Sequence, residues 1–105
     1  MSWMVGGRLL IKAKLEGVEM TCLWDTGSQV TIIGEQAFHR LFRDKEIVRE
    51  QLVHLVGANG LAVPYIGYTV MDIEVGGRIF RDRGVLVRKG GQEMGSEVVL
   101  GMNVI

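Results

Sequence analysis

One carboxylate in this chain stands where chemistry is expected. Asp25 ends the apolar run Leu23-Trp24 and is followed at once by Thr26, Gly27 and Ser28. A strand that ends this way delivers an acid into a tight turn whose hydroxyls and backbone N–H groups are fixed donors. Such surroundings shift proton affinity and prepare a carboxylate for general acid or base work. The same tripeptide is also ordinary turn chemistry, because Asp and Thr bond to nearby backbone and Gly accepts unusual φ. The surrounding elements must decide between the two.

Those elements read as strands. Arg8 to Leu15 alternates, with Leu9, Ile11, Ala13 and Leu15 on one side and Arg8, Lys12 and Lys14 on the other. That is the period of a half-buried strand. Glu16-Gly17 makes a hairpin turn, and Val18 to Trp24 alternates again. Leu23 breaks the polar face of that second strand, so it is expected to be buried on both sides just before Asp25, with the acid indoors. Val30 to Ile33 reads as a short buried strand. A helix opens at Gly34-Glu35-Gln36 and sets Ala37, Phe38, Leu41 and Phe42 on one face.

Arg43 to Glu50 reads as a solvated connection and Gln51 to Val56 as a strand. Gly57-Ala58-Asn59-Gly60 is a hairpin tip, since Asn-Gly suits mirror-image turns. The return arm runs to Val75 and contains Pro64 and Gly67, which implies an edge position or a bend. Asp72 and Glu74 alternate outward as solvated surface. After Gly76-Gly77, Ile79 to Val87 is a strand expected to bulge at Gly84. Lys89 to Ser96 is a loop, and Val98-Val99-Leu100 a buried strand before Gly101. With roughly seven or more strands, one clear helix and no βαβ rhythm, the fold class is all-β: a closed barrel or orthogonal sheets.

Composition narrows the function. A chain of 105 residues that is 48% hydrophobic and 23% charged is one ordinary domain with a core. Twelve basic and twelve acidic residues cancel, so no basic field attracts nucleic acid or anionic lipid. No apolar run has the length of a membrane span. Residues 1–7 lack the pattern of a signal peptide. The single Cys22 cannot form an internal disulfide, which fits a reducing, intracellular compartment or a setting in which no staple is needed. His39 and His54 are isolated, so no metal is expected, and the glycine-rich tip lacks the Lys-Ser or Lys-Thr of a phosphate loop. No cofactor is implied.

The order strand, Asp25-Thr26-Gly27-Ser28, glycine-tipped hairpin, then Val98-Val99-Leu100-Gly101 resembles the retropepsin-type aspartic proteases of retroviruses and retrotransposons. The likeness spans Arg8 to Ile105, which implies that residues 1–105 form one retropepsin-like domain. The resemblance implies a closed barrel with a flap hairpin and one or two short helices. It implies that Asp25 is the catalytic aspartate, that Thr26 bonds across a subunit interface, and that Gly27 lies along the bound peptide. Ser28 fills the small position beside it. Val56, Gly57, Ala58, Asn59 and Gly60 correspond to the flap that closes over an extended peptide. Val98 to Gly101 corresponds to the strand and helix start behind the Asp turn.

Two departures stand out. Viral members commonly carry an acid and an Arg where this chain has Gln29 and Met102, so neutral packing is expected in place of a charged brace. The resemblance also implies a terminal strand past the helix. This chain stops at Ile105, so the expectation is a domain truncated at its C-terminus or a dimer formed without that strand.

Aspartate-driven peptide hydrolysis needs two carboxyls sharing a proton, and this chain has a single Asp-Thr-Gly. Asp44, Asp72 and Asp82 lack the flanking turn. A two-fold homodimer would supply the second Asp25. The expected function is a homodimeric endopeptidase acting on a polyprotein. The alternatives are a non-catalytic peptide-binding or dimerisation module of the same fold, and an all-β interaction domain with a chance motif. Ile32, Val56 and Leu86 are candidates for side-chain pockets.

Overall fold

The computed structural model describes residues 2–5, 8–49, 65–90 and 96–104, and the side chains among them from residue 9 onward. The proposed flap, the strand before it, and His54 lie outside the described residues. Strand β1 (Ser2–Val5) pairs with β2 (Arg8–Leu15), which pairs with β3 (Val18–Trp24). The alternation of β2 works as the sequence implies: Ile11, Ala13 and Leu15 are buried while Lys12 and Lys14 are exposed. In register, Ile11 meets Cys22, Ala13 meets Met20 and Leu15 meets Val18, so both strands send one face into one core. Glu16 (φ 49) and Gly17 (φ 81) both take left-handed conformations, as a mirror-image turn requires.

Strand β4 (Thr31–Gly34) leads directly into helix α1 (Glu35–Leu41), whose Ala37 and Phe38 are buried. Strands β5 (Tyr65–Val75) and β6 (Arg78–Arg88) form a long hairpin, and β7 (Val98–Leu100) completes the set. The strand order is β1-β2-β3-β7-β4-β6-β5, and β5 also pairs with β2. That last pairing closes a six-stranded barrel, leaving β1 outside it. Strand β7 lies at the centre, parallel to β3 and antiparallel to β4. The barrel is filled by residues including Leu15, Ile33, Phe38, Ile73, Val85, Val87, Val98 and Leu100, all essentially inaccessible.

Several expectations need correction. Gly84 is not a bulge; it pairs in register with Val70. The register shifts twice, between Tyr65 and Gly67 and between Met71 and Ile73; the second inserts an extra residue in β6, where Asp82 has φ 55. Asp72 is not idle surface. Its Oδ1 accepts the Asp82 N–H at 2.9 Å and its Oδ2 meets Arg81 at 3.3 Å, so it holds the bulge. The connection after α1 is not merely solvated either. Val48 and Tyr68 exchange backbone hydrogen bonds at 2.7 and 3.0 Å. Gly67 lies under this crossing, where a Cβ would overlap Ile47 and the Val48 carbonyl.

Candidate active site

Strand β3 carries the chain to Asp25, and its ladder continues one step further. The Asp25 N–H donates to the Leu100 carbonyl of β7 at 3.1 Å. The turn then closes on itself. Gly27 N–H donates to Asp25 Oδ1 at 2.8 Å, and Ser28 N–H to the Asp25 carbonyl at 3.3 Å. One carboxylate oxygen is thereby fixed by backbone. A side chain at Gly27 would crowd that oxygen, since its Cβ would stand 3.1 Å away. The Ser28 hydroxyl donates to the Val30 carbonyl at 2.6 Å and bends the chain into β4.

The segment after β7 braces this turn from behind. Met102 N–H donates to the Ser28 carbonyl at 2.8 Å, and Val104 N–H to the Gly101 carbonyl at 3.0 Å. Residues 102–104 form a hydrogen-bonded turn at the position expected for a helix start. Gly101 is obligatory here: a Cβ would overlap the Val30 carbonyl and come within 2.9 Å of the Ser28 oxygen. Gln29 and Met102 form no buried neutral pair in place of the charged brace. Gln29 is exposed and so is Met102; the brace is backbone, not side chain.

Two residues unnoticed in the sequence complete the brace. Thr31 is fully buried; its hydroxyl donates to Asn103 Oδ1 at 2.9 Å and accepts the Gly101 N–H at 3.2 Å. The Asn103 amide donates onward to the Gly84 carbonyl at 2.8 Å. This chain of bonds ties β4, the Gly101 turn and β6 together through neutral groups that are all satisfied. The available signal was a threonine inside an otherwise apolar strand.

Asp25 is not indoors. It is half-buried, and Thr26 and Gly27 are exposed on the single chain. The expectation that β3 is buried on both faces holds for Leu23, but with a different neighbour set from the barrel core. Leu23 and Val99 are buried together, with Leu10 and Ile32 packed against them. The register aligns them as one row across four strands: Leu10 opposite Leu23, Leu23 beside Val99, Val99 beside Ile32. Leu86 is in register with Ile32 and extends the row. Strand alternation puts position 25 on the face of Leu23. The carboxylate therefore rises at the end of an apolar wall.

Other chemistry is remote from this turn. Trp24 packs on the core. Cys22 is buried, its thiol donating to the Met20 carbonyl at 3.6 Å, and burial pushes its pKa up to about 12. It is a packing residue, not a nucleophile. An open groove of about 330 Å³ lies at the opposite end of β3, lined by Lys14, Glu16, Gly17, Asp72, Glu74, Ile79 and Arg81. Among the described residues, no three His, Cys, Asp or Glu side chains gather as metal ligands. No helix among them is long and apolar enough to cross a membrane.

Comparison with known proteins agrees with this geometry. No curated protein sequence matches. The solved structures do. A retropepsin-like aspartic protease from Rickettsia conorii superposes with TM-score 0.69 at 15% identity, covering 99% of this chain and 74% of that one. The EIAV protease, solved with an inhibitor, gives TM-score 0.68 at 18% identity over 99% of this chain and 90% of its own. The retroviral protease-like domain of Ddi1 from Leishmania major gives 0.57 at 14% identity, over 90% and 72%. These likenesses establish the fold. The family described as "gag-polyprotein putative aspartyl protease" matches residues 11–105, nearly the whole sequence. The chain therefore belongs to the gag-polyprotein aspartyl protease family and has the retropepsin-like fold of its structural neighbours.

Proposed function

We propose that the protein is an aspartic endopeptidase, active as a homodimer, that cleaves peptide bonds of a polyprotein. The observation that carries this reading is a braced Asp-Thr-Gly-Ser turn whose acid stands half-exposed at the end of an apolar wall. It has the form of half a site. A second copy related by a two-fold axis supplies the other Asp25 and, with it, the other wall. Thr26, exposed on the single chain, bonds across that axis.

Two carboxyls about 3 Å apart cannot both ionise, so the pair holds one proton. The ionised Asp25 takes a proton from a water placed between them. The water oxygen bonds to the scissile carbonyl carbon while Asp25 of the partner subunit gives its proton to the carbonyl oxygen. The resulting tetrahedral diol collapses: a proton returns to the amide nitrogen, the C–N bond breaks, and a carboxyl and an amine leave. Gly27 lies along the peptide backbone, and Ser28 keeps the neighbouring position small. Leu23, Ile32, Leu86 and Val99 receive apolar side chains flanking the bond. The resemblance assigns to residues 56–60, which lie outside those described, the flap that would add a strand to the extended peptide and exclude water.

The test is turnover of a broad peptide library from mildly acidic to neutral pH. Cleavage at apolar sites, an acidic optimum, inhibition by statine-type mimics and loss on Asp25→Asn are expected. A verified dimer that cleaves nothing across that range contradicts the reading.

A further inference from the structure

We infer that Arg88 is an acid-recognising specificity residue of the substrate groove, selecting peptides that carry Asp or Glu beside the apolar residues at the cleaved bond. The inference rests on the proteolytic reading of the apolar wall and names a substrate class for it.

Alternation along β6 places the residue. Val85 and Val87 are fully buried in the barrel core, so Leu86 and Arg88 stand on the opposite face, that of Ile32 and Val99. The parallel register sets Leu86 beside Ile32 and Arg88 beside Gly34. Gly34 has no side chain to cover the guanidinium from that strand. On the other flank Arg88 is paired with Tyr65, and the register slips between Tyr65 and Gly67. A bulge of this kind re-aims neighbouring side chains and is common beside binding sites.

Arg88 is half-buried, and its Nε is shielded from solvent with no hydrogen-bond partner among the described residues. A shielded guanidinium N–H left unmet is costly. The nearest acid in sequence to Gly34 is already engaged: Glu35 Oε1 accepts the Gly90 N–H at 3.2 Å and its Oε2 lies 3.8 Å from His39. Several other cations of the described surface have partners. Arg40 meets Glu97 at 2.7 Å, Lys45 meets Glu16 at 3.2 Å, and Arg83, whose Nε is likewise shielded, lies over the Phe80 ring. Arg88 differs in standing next to the wall. A carboxylate on a peptide laid along Leu86 and Ile32 would meet the fork of its guanidinium, a geometry arginine matches well.

The experiment compares peptide pairs that differ only as Glu or Gln, with the variable residue walked along both sides of an apolar scissile bond. At one position the wild type is expected to favour Glu by about tenfold in kcat/KM, falling as salt is raised. Arg88→Gln should bring that ratio near one, Arg88→Glu should invert it in favour of Gln, and Arg88→Lys should keep part of it. Melting curves confirm that each variant folds, and the salt dependence of the wild type needs no variant. The same pairs are then measured for binding to the Asp25→Asn chain. Equal cleavage of Glu and Gln peptides at every position, or a ratio unchanged in Arg88→Gln, overturns the inference and leaves proteolysis standing. Absence of cleavage together with Glu-selective binding that Arg88→Gln abolishes supports the inference and overturns proteolysis. Absence of binding to any peptide overturns both.

Discussion

The two ends of β3 are held by different physics. At the Trp24 end, Asp25, Ser28, Thr31, Gly101 and Asn103 are joined by backbone amides and neutral side chains, with Thr31 fully buried. At the Val18 end, Glu16, Lys45, Asp72 and Arg81 close the barrel with ion pairs that water reaches. Lys45 also donates to the Val70 carbonyl at 2.7 Å, and Glu16 accepts the Asp72 N–H at 2.7 Å. Buried neutral hydrogen bonds fix atoms closely and are expensive to break. Exposed ion pairs hold two strands loosely and contribute little. The end that carries Asp25 has the rigid bracing.

The largest expected effect breaks the chemistry and spares the structure. Asp25→Asn should lower kcat by on the order of a thousandfold or more, because it removes the acid–base pair. Its amide oxygen can still accept the Gly27 N–H, so the melting temperature should stay within about 2 °C of wild type. A large loss of stability would mean that the charge itself holds the turn.

Next is Gly101→Ala. The new methyl meets the Val30 and Ser28 carbonyls, which are backbone and cannot swing aside. Urea unfolding should show a loss of about 2–3 kcal/mol. Thr31→Val keeps the shape of the side chain but strands Asn103 Oδ1 and the Gly101 N–H, for roughly 1–3 kcal/mol. If either variant is neutral, the rigid end is not held as described.

Between the ends, Cys22 makes stability depend on alkaline pH. Its thiol ionises near 9.0 in the unfolded chain and near 12 when folded, because burial penalises the thiolate. Above pH 9 the unfolded state sheds a proton that the native state keeps, so stability falls as pH rises toward 12. About 1.4 kcal/mol should be lost per pH unit in that window, and Cys22→Ala should remove this share of the slope. The smallest effect belongs to the Val18 end. Lys45→Ala should cost at most about 1 kcal/mol, much of it absent at high salt. A larger, salt-independent cost would erase the contrast between the ends.

The sequence was informative wherever structure is set by neighbours in the chain. The alternation of Ile11, Ala13 and Leu15 and the run Asp25 to Ser28 are local signals, and they produce the strands and turn expected of them. The fold class was legible in strand spacing and in the ordered motifs. What escaped notice was joined across distance. Thr31 and Asn103 are separated by 72 positions, and no periodicity connects them. Gly84 was expected to carry the bulge of its strand. Its role is to offer a carbonyl to Asn103, while the bulge falls at Asp82, whose left-handed backbone Asp72 supports from the neighbouring strand. The exposure of Asp25 was also illegible, because an apolar approach strand buries its own side chains without burying the turn at its end.

Inhibitor stoichiometry tests the central claim most directly. A statine-type inhibitor is titrated calorimetrically into the protein while sedimentation reports its mass. One inhibitor bound per two chains, with a shift of the mass to that of the dimer, is the predicted result. Saturation at one inhibitor per chain on a monomer would contradict a site built from two copies of Asp25.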